Sequence, residues 1–408
     1  MRRFVWIIII VLLVAPMMGV SAQSSVCPPQ LVESANRLIE QAREAIFNGQ
    51  YDTADVLLAA AQELLLPCTG FYATPFPTPT PPRGTAEIPT PFPTPTQFSS
   101  IPTVYDGVNE VNTVITTLGI FNDDVRGVDY SPNGFYAIAS SFDSNLYMYD
   151  VETFEQVRVF RGHTDWVFNA DFTQNGTIMA SASADDTIRI WDVNSATTLQ
   201  VLDAHTENVT NVAFSPDDSL LVSTGQDSQV IVWDTTTWTI VQSLDGHSDW
   251  VWDVSFSPDG SFFVTVASDN TVVVWSATDF SLVTTLFQHT GVVISVEYSP
   301  DGRYILTGSH DGSAILWDAV TFAPIRAYRP NAIGAVMDVA FSPDMQYVAI
   351  ASFAGYVYMW TLDGTPVATY TGHTTSGVWA VQFSPDGRTF LSGADDGGML
   401  LNSVWLGD

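Results

Sequence analysis

The spacing of apolar positions changes three times along the chain, and each change marks a different kind of element. An unbroken apolar run covers Phe4 to Val14, directly behind Arg2 and Arg3. From Pro28 to Leu66 apolar residues return every three or four positions, at Leu31, Ala35, Leu38, Ala42 and Ile46 and again at Val56, Leu57, Ala60, Ala61, Leu64 and Leu65. Such spacing puts one apolar stripe on each of two helices. Gly49 closes the first, Asp52 caps the second, and Pro67 stops it. Phe71 to Tyr105 holds ten prolines, which fix φ and remove N–H donors, so this stretch reads as an extended linker. From Phe121 onward, short β-branched and aromatic stretches alternate with tight polar turns, the pattern of successive strands.

The strand region repeats every 42 residues. His163, His205, His247 and His289 keep that spacing, and two further steps land on Asn331 and His373. Trp191, Trp233, Trp275 and Trp317 keep it too, with Tyr149 one period earlier, Trp360 one residue late and Asn402 last. Turns such as Ser257-Pro258-Asp259-Gly260 and Ser299-Pro300-Asp301-Gly302 fall between the markers, so each unit reads as four short strands. Repeat starts at Phe121, His163, His205, His247, His289, Asn331 and His373 make seven units.

These residues resemble the WD40 repeat family. Trp191-Asp192, Trp233-Asp234 and Trp317-Asp318 stand as Trp-Asp pairs, and Gly162-His163 and Gly246-His247 as Gly-His pairs. The resemblance implies an all-β, seven-bladed propeller. The last unit stops before a fourth strand, and Val111 to Leu118 has the composition to supply it and so close the ring. Both ends of the propeller would then meet in one blade, with the linker emerging near it. The expected division is 1–22 export signal, 23–70 helical hairpin, 71–105 linker and 106–408 propeller.

Four units also carry a Ser or Thr and an Asp, ten and six residues before the marker Trp. The sets are His163, Ser181, Asp185, Trp191; His205, Ser223, Asp227, Trp233; His247, Thr265, Asp269, Trp275; and His289, Thr307, Asp311, Trp317. Ser, His and Asp together suggest nucleophilic catalysis. A catalyst needs one activated site, whereas four copies at a fixed period resemble the hydrogen-bonded tetrad that braces WD40 blades. The first, sixth and seventh units depart from the set, with Phe121 and Ala139, with Asn331, Ile350 and Ala354, and with Asn402. In a closed ring these are neighbours, forming one loosened sector that is either a functional face or drift around the closure.

Charge narrows the partners. Thirteen basic against 44 acidic residues give −31, and every basic residue is Arg. Phosphate binding needs clustered cations, so the charge argues against nucleic acid and anionic lipid as partners of the main body. The order of Arg2 and Arg3, the apolar run, and Val20-Ser21-Ala22 is that of an export signal cleaved before Gln23; an uncleaved membrane anchor is the rival reading. In an oxidising compartment Cys27 and Cys68, at the open end of the hairpin, are expected to form a disulfide rather than two free thiols. Closing that loop would contribute on the order of 4 kcal/mol. The hairpin resembles a single tetratricopeptide-like unit, which cannot bury its own face alone. The linker would extend roughly 100 Å as a polyproline rod.

Five of the six His occupy the repeat position, leaving only His310 spare, and the propeller contains no Cys. No metal site, cofactor or catalytic Cys/His pair is expected. Recognition therefore falls to the strand after each His. Trp166 and Trp250 stand three residues beyond it, Phe168 and Trp252 five beyond; Arg126 holds the matching place in the first unit, and Trp379 stands one residue later in the seventh. The resemblance places this strand around the central channel, where aromatic and Arg side chains anchor partners. Strict alternation would turn some of them into the core; the irregular Val-x-x-Val spacing suggests a bulge that re-aims them. The expectation is a monomeric, non-catalytic scaffold binding a protein or peptide at the channel rim. The alternatives are a glycan-binding module built on the same aromatics, and an extracellular enzyme acting in the channel.

Overall fold

In the computed structural model, residues 103–105, 110–111, 113–121, 123–330, 334–373 and 377–404 are described. The export segment, the hairpin with Cys27 and Cys68, nearly all of the linker, and Asn331 lie outside them. Among the described residues no helix is long and apolar enough to cross a membrane.

The 42-residue unit folds as an antiparallel meander, and seven meanders form seven sheets. The innermost strands, in ring order, are Val125–Tyr130, Val167–Phe172, Val209–Phe214, Val251–Phe256, Val293–Tyr298, Val336–Phe341 and Val378–Phe383. Each lies beside its two neighbours, and the last lies beside the first. The second strand of every blade is buried on both faces, as in Leu220–Gly225 and Phe262–Ala267, because neighbouring blades stack on both sides of it. One hydrophobic cluster fills each gap between blades. Val264, Val296, Ile305 and Trp317 join the fourth blade to the fifth, and Val125, Tyr149, Leu391 and Met399 join the first to the seventh.

The turns follow from their residues. In Ser257-Pro258-Asp259-Gly260 the Ser257 hydroxyl donates to Asp259 at 2.7 Å, the Phe262 N–H donates back to that hydroxyl at 3.0 Å, and Gly260 takes φ +69°. Left-handed backbone is open to glycine at no steric cost.

Ring closure is by the strand ahead of the first unit. It spans Val114–Ile120, two to three residues later than the composition suggests, and pairs antiparallel with Gly398–Ser403, Val114 opposite Asn402 and Ile120 opposite Gly398. The Phe121 N–H donates to the Gly397 carbonyl at 2.8 Å and extends that seam. The path into the closure departs from the sequence reading. Thr103–Tyr105, assigned to the linker, is a strand parallel to Pro324–Arg329 of the fifth blade, and Glu110–Val111 is parallel to Pro366–Tyr370 of the sixth. The chain thus reaches the ring at the outer edge of the fifth blade rather than beside the closure, and passes along two blades before closing the seventh. Outer strands offer unpaired N–H and C=O groups, which an extended segment satisfies without any side-chain signal.

Candidate functional site

The bracing tetrads form in the second to fifth blades. In the third, the His205 Nδ1–H donates to Asp227 at 3.0 Å, Nε2 lies 2.8 Å from the Ser223 hydroxyl, and the Trp233 Nε1–H donates to the same hydroxyl at 2.9 Å. The hydroxyl donates to the imidazole while accepting from the indole, so every buried polar atom has a partner. His163, Ser181, Asp185 and Trp191 repeat this at 2.7 to 2.9 Å. In the fourth blade His247 meets Thr265 at 2.8 Å and Asp269 at 3.3 Å, and the Trp275 Nε1–H donates to Thr265 at 2.8 Å. In the fifth, His289 bridges Thr307 and Asp311, and Trp317 donates to Thr307. Gly246 leaves room for the Trp275 ring, where a Cβ would come within 2.4 Å.

Burial pushes His163 below the usual histidine range, against the pull of Asp185. Burial also opposes ionisation of Asp185, yet the bonds from His163, Thr187 and the Thr164 N–H outweigh it and hold the carboxyl low. The hydroxyl is engaged on both sides, by the imidazole and by the indole N–H, and the same arrangement recurs from blade to blade.

The loosened sector is smaller than the sequence suggests. In the seventh blade His373 Nε2 lies 2.8 Å from Ser392, His373 Nδ1 lies 3.1 Å from Asp396, and Asn402 Nδ2–H donates to Ser392 at 3.1 Å. Asn402 thus supplies the donor that the indole supplies elsewhere, and a fifth tetrad stands. The sixth blade does differ: with Ile350 in the hydroxyl position, the buried Trp360 Nε1–H has no hydrogen-bond partner. In the first blade Phe121 packs on Tyr147 at 4.5 Å and on Tyr149 at 6.2 Å, an aromatic cluster in place of the polar one.

The bulge suggested by the Val-x-x-Val spacing is present in all seven innermost strands. Pairing skips from the first residue to the third, so the second opposes nothing: Val125 faces Ser141 and Gly127 faces Ser140, with Arg126 left over. The same break occurs in the other six blades. The bulged residues are Arg126, Phe168, Thr210, Trp252, Ile294, Met337 and Trp379, and together they line the mouth of the channel. Four of the six side chains expected at the rim belong to this ring. Phe168, Trp252 and Trp379 are nonetheless largely buried, and Trp252 donates to the Ser268 hydroxyl at 2.7 Å. The Arg126 guanidinium rests over Trp379, 3.9 Å from the ring centre, and burial lowers its pKa to about 10. Trp166 and Trp250 stand outside the ring on the preceding loops, half-exposed; Trp166 stacks on Phe142 at 4.4 Å, and Trp250 meets Trp252 edge-on at 5.8 Å.

Below the mouth lies a layer that the sequence reading missed. A cavity of about 320 Å³ is lined by Asp129, Asp171, Asp253, Glu297 and Asp338, among others. Each of four reaches across to the next blade's innermost strand. Asp171 accepts from the Phe214 N–H at 2.6 Å, Asp253 from Val296 at 2.7 Å, Glu297 from Phe341 at 2.5 Å and Asp338 from Val381 at 2.8 Å. Desolvation is the main cause that pushes all five up, Asp338 to about 6, Asp171 to about 7, Asp253 and Glu297 to about 8. Period-two alternation after the bulge puts these positions on the channel wall, and that was the signal available. Among the described residues no group of three or more His, Cys, Asp or Glu is placed to hold a metal ion.

Seven blades, five of them braced by a hydrogen-bonded tetrad, around a bulge-lined channel define a β-propeller. The family model for the WD domain, G-beta repeat, matches residues 112–150, 154–192, 196–234, 238–276, 280–318, 324–361 and 364–401, well over half of the chain, which therefore belongs to the WD40 family. Members are commonly protein-interaction scaffolds and typically non-catalytic. The first matched segment begins with the closure strand, so each sequence repeat straddles two blades. No protein of curated function matches the chain.

Proposed function

We propose that this chain is an exported, non-catalytic recognition module that binds a protein or peptide at the channel mouth and is held on a proline-rich tether ending in a disulfide-closed hairpin. What supports the reading is the ring of bulged residues. Bulges re-aim side chains at a cost in ladder pairing. In this ring they bring Arg126, Phe168, Trp252 and Trp379 together, the residue types that carry most binding energy at protein interfaces. None of these four side chains belongs to a bracing tetrad. Export rests on the Arg2, Arg3, Phe4–Val14 and Val20-Ser21-Ala22 series, and with it the oxidising space that Cys27 and Cys68 require.

The test is a capture experiment with the chain beginning at Gln23 as bait against the proteins of its own secretome and cell envelope. A variant with Arg126, Trp166, Trp250 and Trp252 all changed to Ala runs beside it. The expected result is a partner retained by the parent and lost by the variant while the variant still melts cooperatively. A partner indifferent to the four changes moves recognition away from the mouth. A soluble polysaccharide retained by the parent and lost in Trp250→Ala supports the glycan-binding reading, which the half-exposed Trp166 and Trp250 favour.

A further inference from the structure

The loops carrying Trp166 and Trp250 share one local design. Each runs hydroxyl residue, Asp, Trp, Val, and in each the aspartate accepts the N–H of the following tryptophan, Asp165 from Trp166 and Asp249 from Trp250, both at 2.8 Å. Both aspartates are exposed and both indoles half-exposed, so a carboxylate and an aromatic surface stand side by side twice on one end of the ring. The same end exposes Asp203, Glu207 and Asp245, with Arg161 an exposed cation among them. Asp186, at the top of the second blade, is raised first by burial and then by the carboxylates of Asp185, Asp203, Asp227 and Asp165, a measure of how densely acid is gathered there. The rim also contains a filled version of the arrangement. Arg126 lays its guanidinium on Trp379 at 3.9 Å, with Asp124 and Asp338 close enough to favour its charge.

We infer that the rim takes a basic, extended peptide whose Arg or Lys side chains rest on Trp166 and Trp250, their charges against Asp165 and Asp249, as Arg126 already rests on Trp379. This deepens the recognition role assigned to the rim and rests on it. A cation over an indole is drawn to the ring face and, in these two seats, to the carboxylate beside it, so the pair selects a basic ligand. The net charge of −31 steers that ligand inward.

The probes are three capped peptides of equal length, alternating Gly with Arg, with Ser or with Glu, titrated against the full mature chain by tryptophan fluorescence and calorimetry at low and high salt. Trp166→Ala with Trp250→Ala keeps every charge; Asp165→Asn with Asp249→Asn keeps both indoles and the acceptors for the backbone N–H groups. The Arg peptide is expected to bind and to weaken at least about tenfold, about 1.4 kcal/mol, in each double variant. Equal binding to the tryptophan variant would mean attraction by the overall field alone and would overturn the inference. So would no binding of the Arg peptide. If the Ser or Glu peptide instead binds in a Trp-dependent way, the rim keeps its recognition role and only the basic partner falls; if no peptide depends on the indoles, both fall. Should the tryptophan variant fail to melt cooperatively, the asparagine variant decides.

Discussion

At the scale of single residues, what separates the sixth blade from the second to fifth is whether the indole N–H has an acceptor. Trp233 and Trp360 are equally buried, yet Trp233 donates to Ser223 whereas Trp360 faces Ile350 and donates to nothing. An unpaired buried donor forfeits its desolvation energy, and removing a paired donor leaves its acceptor short of a partner. Trp233→Phe therefore combines lost volume with a broken tetrad, whereas Trp360→Phe loses volume and sheds a donor that was never satisfied. The expected outcome in urea unfolding is that Trp233→Phe is the more destabilising by about 1 kcal/mol. Equal costs would mean that the tetrads fill space and add little as a network. The Asn402 tetrad makes a related point. A donor of different shape at the right height performs the same task, so a pattern that looks for Trp reads that blade as degenerate.

At the scale of elements, the parts that were legible in advance are those that the period repeats. Blade number, strand count, turn chemistry and the closing role of the segment before Phe121 all follow from markers 42 residues apart. The bulges were readable too, because Val-x-x-Val breaks alternation at the same place in six of the seven units, with Ala170 taking the second valine's place in the other. Two things were not. The strands Thr103–Tyr105 and Glu110–Val111 pair parallel to outer strands, a backbone match that any sequence can make, and a proline-rich neighbourhood hides them. The channel carboxylates sit where alternation places them, but Asp129, Asp171, Asp253, Glu297 and Asp338 vary in level and type, and no motif gathers them. The two kinds of N-terminal strand also predict different consequences. Of the pairings among the described residues, a chain beginning at Thr113 loses the two parallel edges alone, and it is expected to melt cooperatively within a few degrees of the parent. A chain beginning at Phe121 loses the strand that pairs with Gly398–Ser403 and exposes the edge of the seventh blade. It is expected to lose cooperative melting and to bind a hydrophobic dye. A cooperative transition in the second truncation would show that blade stacking, without the seam, holds the ring.

At the scale of the whole molecule, two sets of carboxylates pull stability in opposite directions along the pH axis. The tetrad aspartates Asp185, Asp227, Asp269 and Asp311 are held below the ordinary value by their bonds to His, hydroxyl and backbone groups, although burial opposes this. Their contribution is present above the unfolded value near 3.8 and is lost as the pH falls below it. The channel carboxylates are raised, chiefly by desolvation, to about 6 for Asp338, about 7 for Asp171 and about 8 for Asp253 and Glu297. Between their unfolded and folded values the native state binds more protons than the unfolded chain, so stability declines as the pH rises from about 4 to about 8. The propeller is therefore expected to melt at its highest temperature in mildly acidic buffer, between the two limbs, and lower at neutral pH and above. Glu297 isolates the alkaline limb. One of its oxygens accepts the Phe341 N–H at 2.5 Å, so Glu297→Gln can keep an acceptor for that stitch between blades while removing the proton that titrates. This variant should melt with the parent at pH 5 and above it at pH 8.5, by roughly 2–4 °C if the relief is of the order of 1 kcal/mol in a domain of this size. A variant that tracks the parent across the whole range would mean that water in the channel solvates the carboxylate fully, and that the acidic wall exerts no strain on the ring.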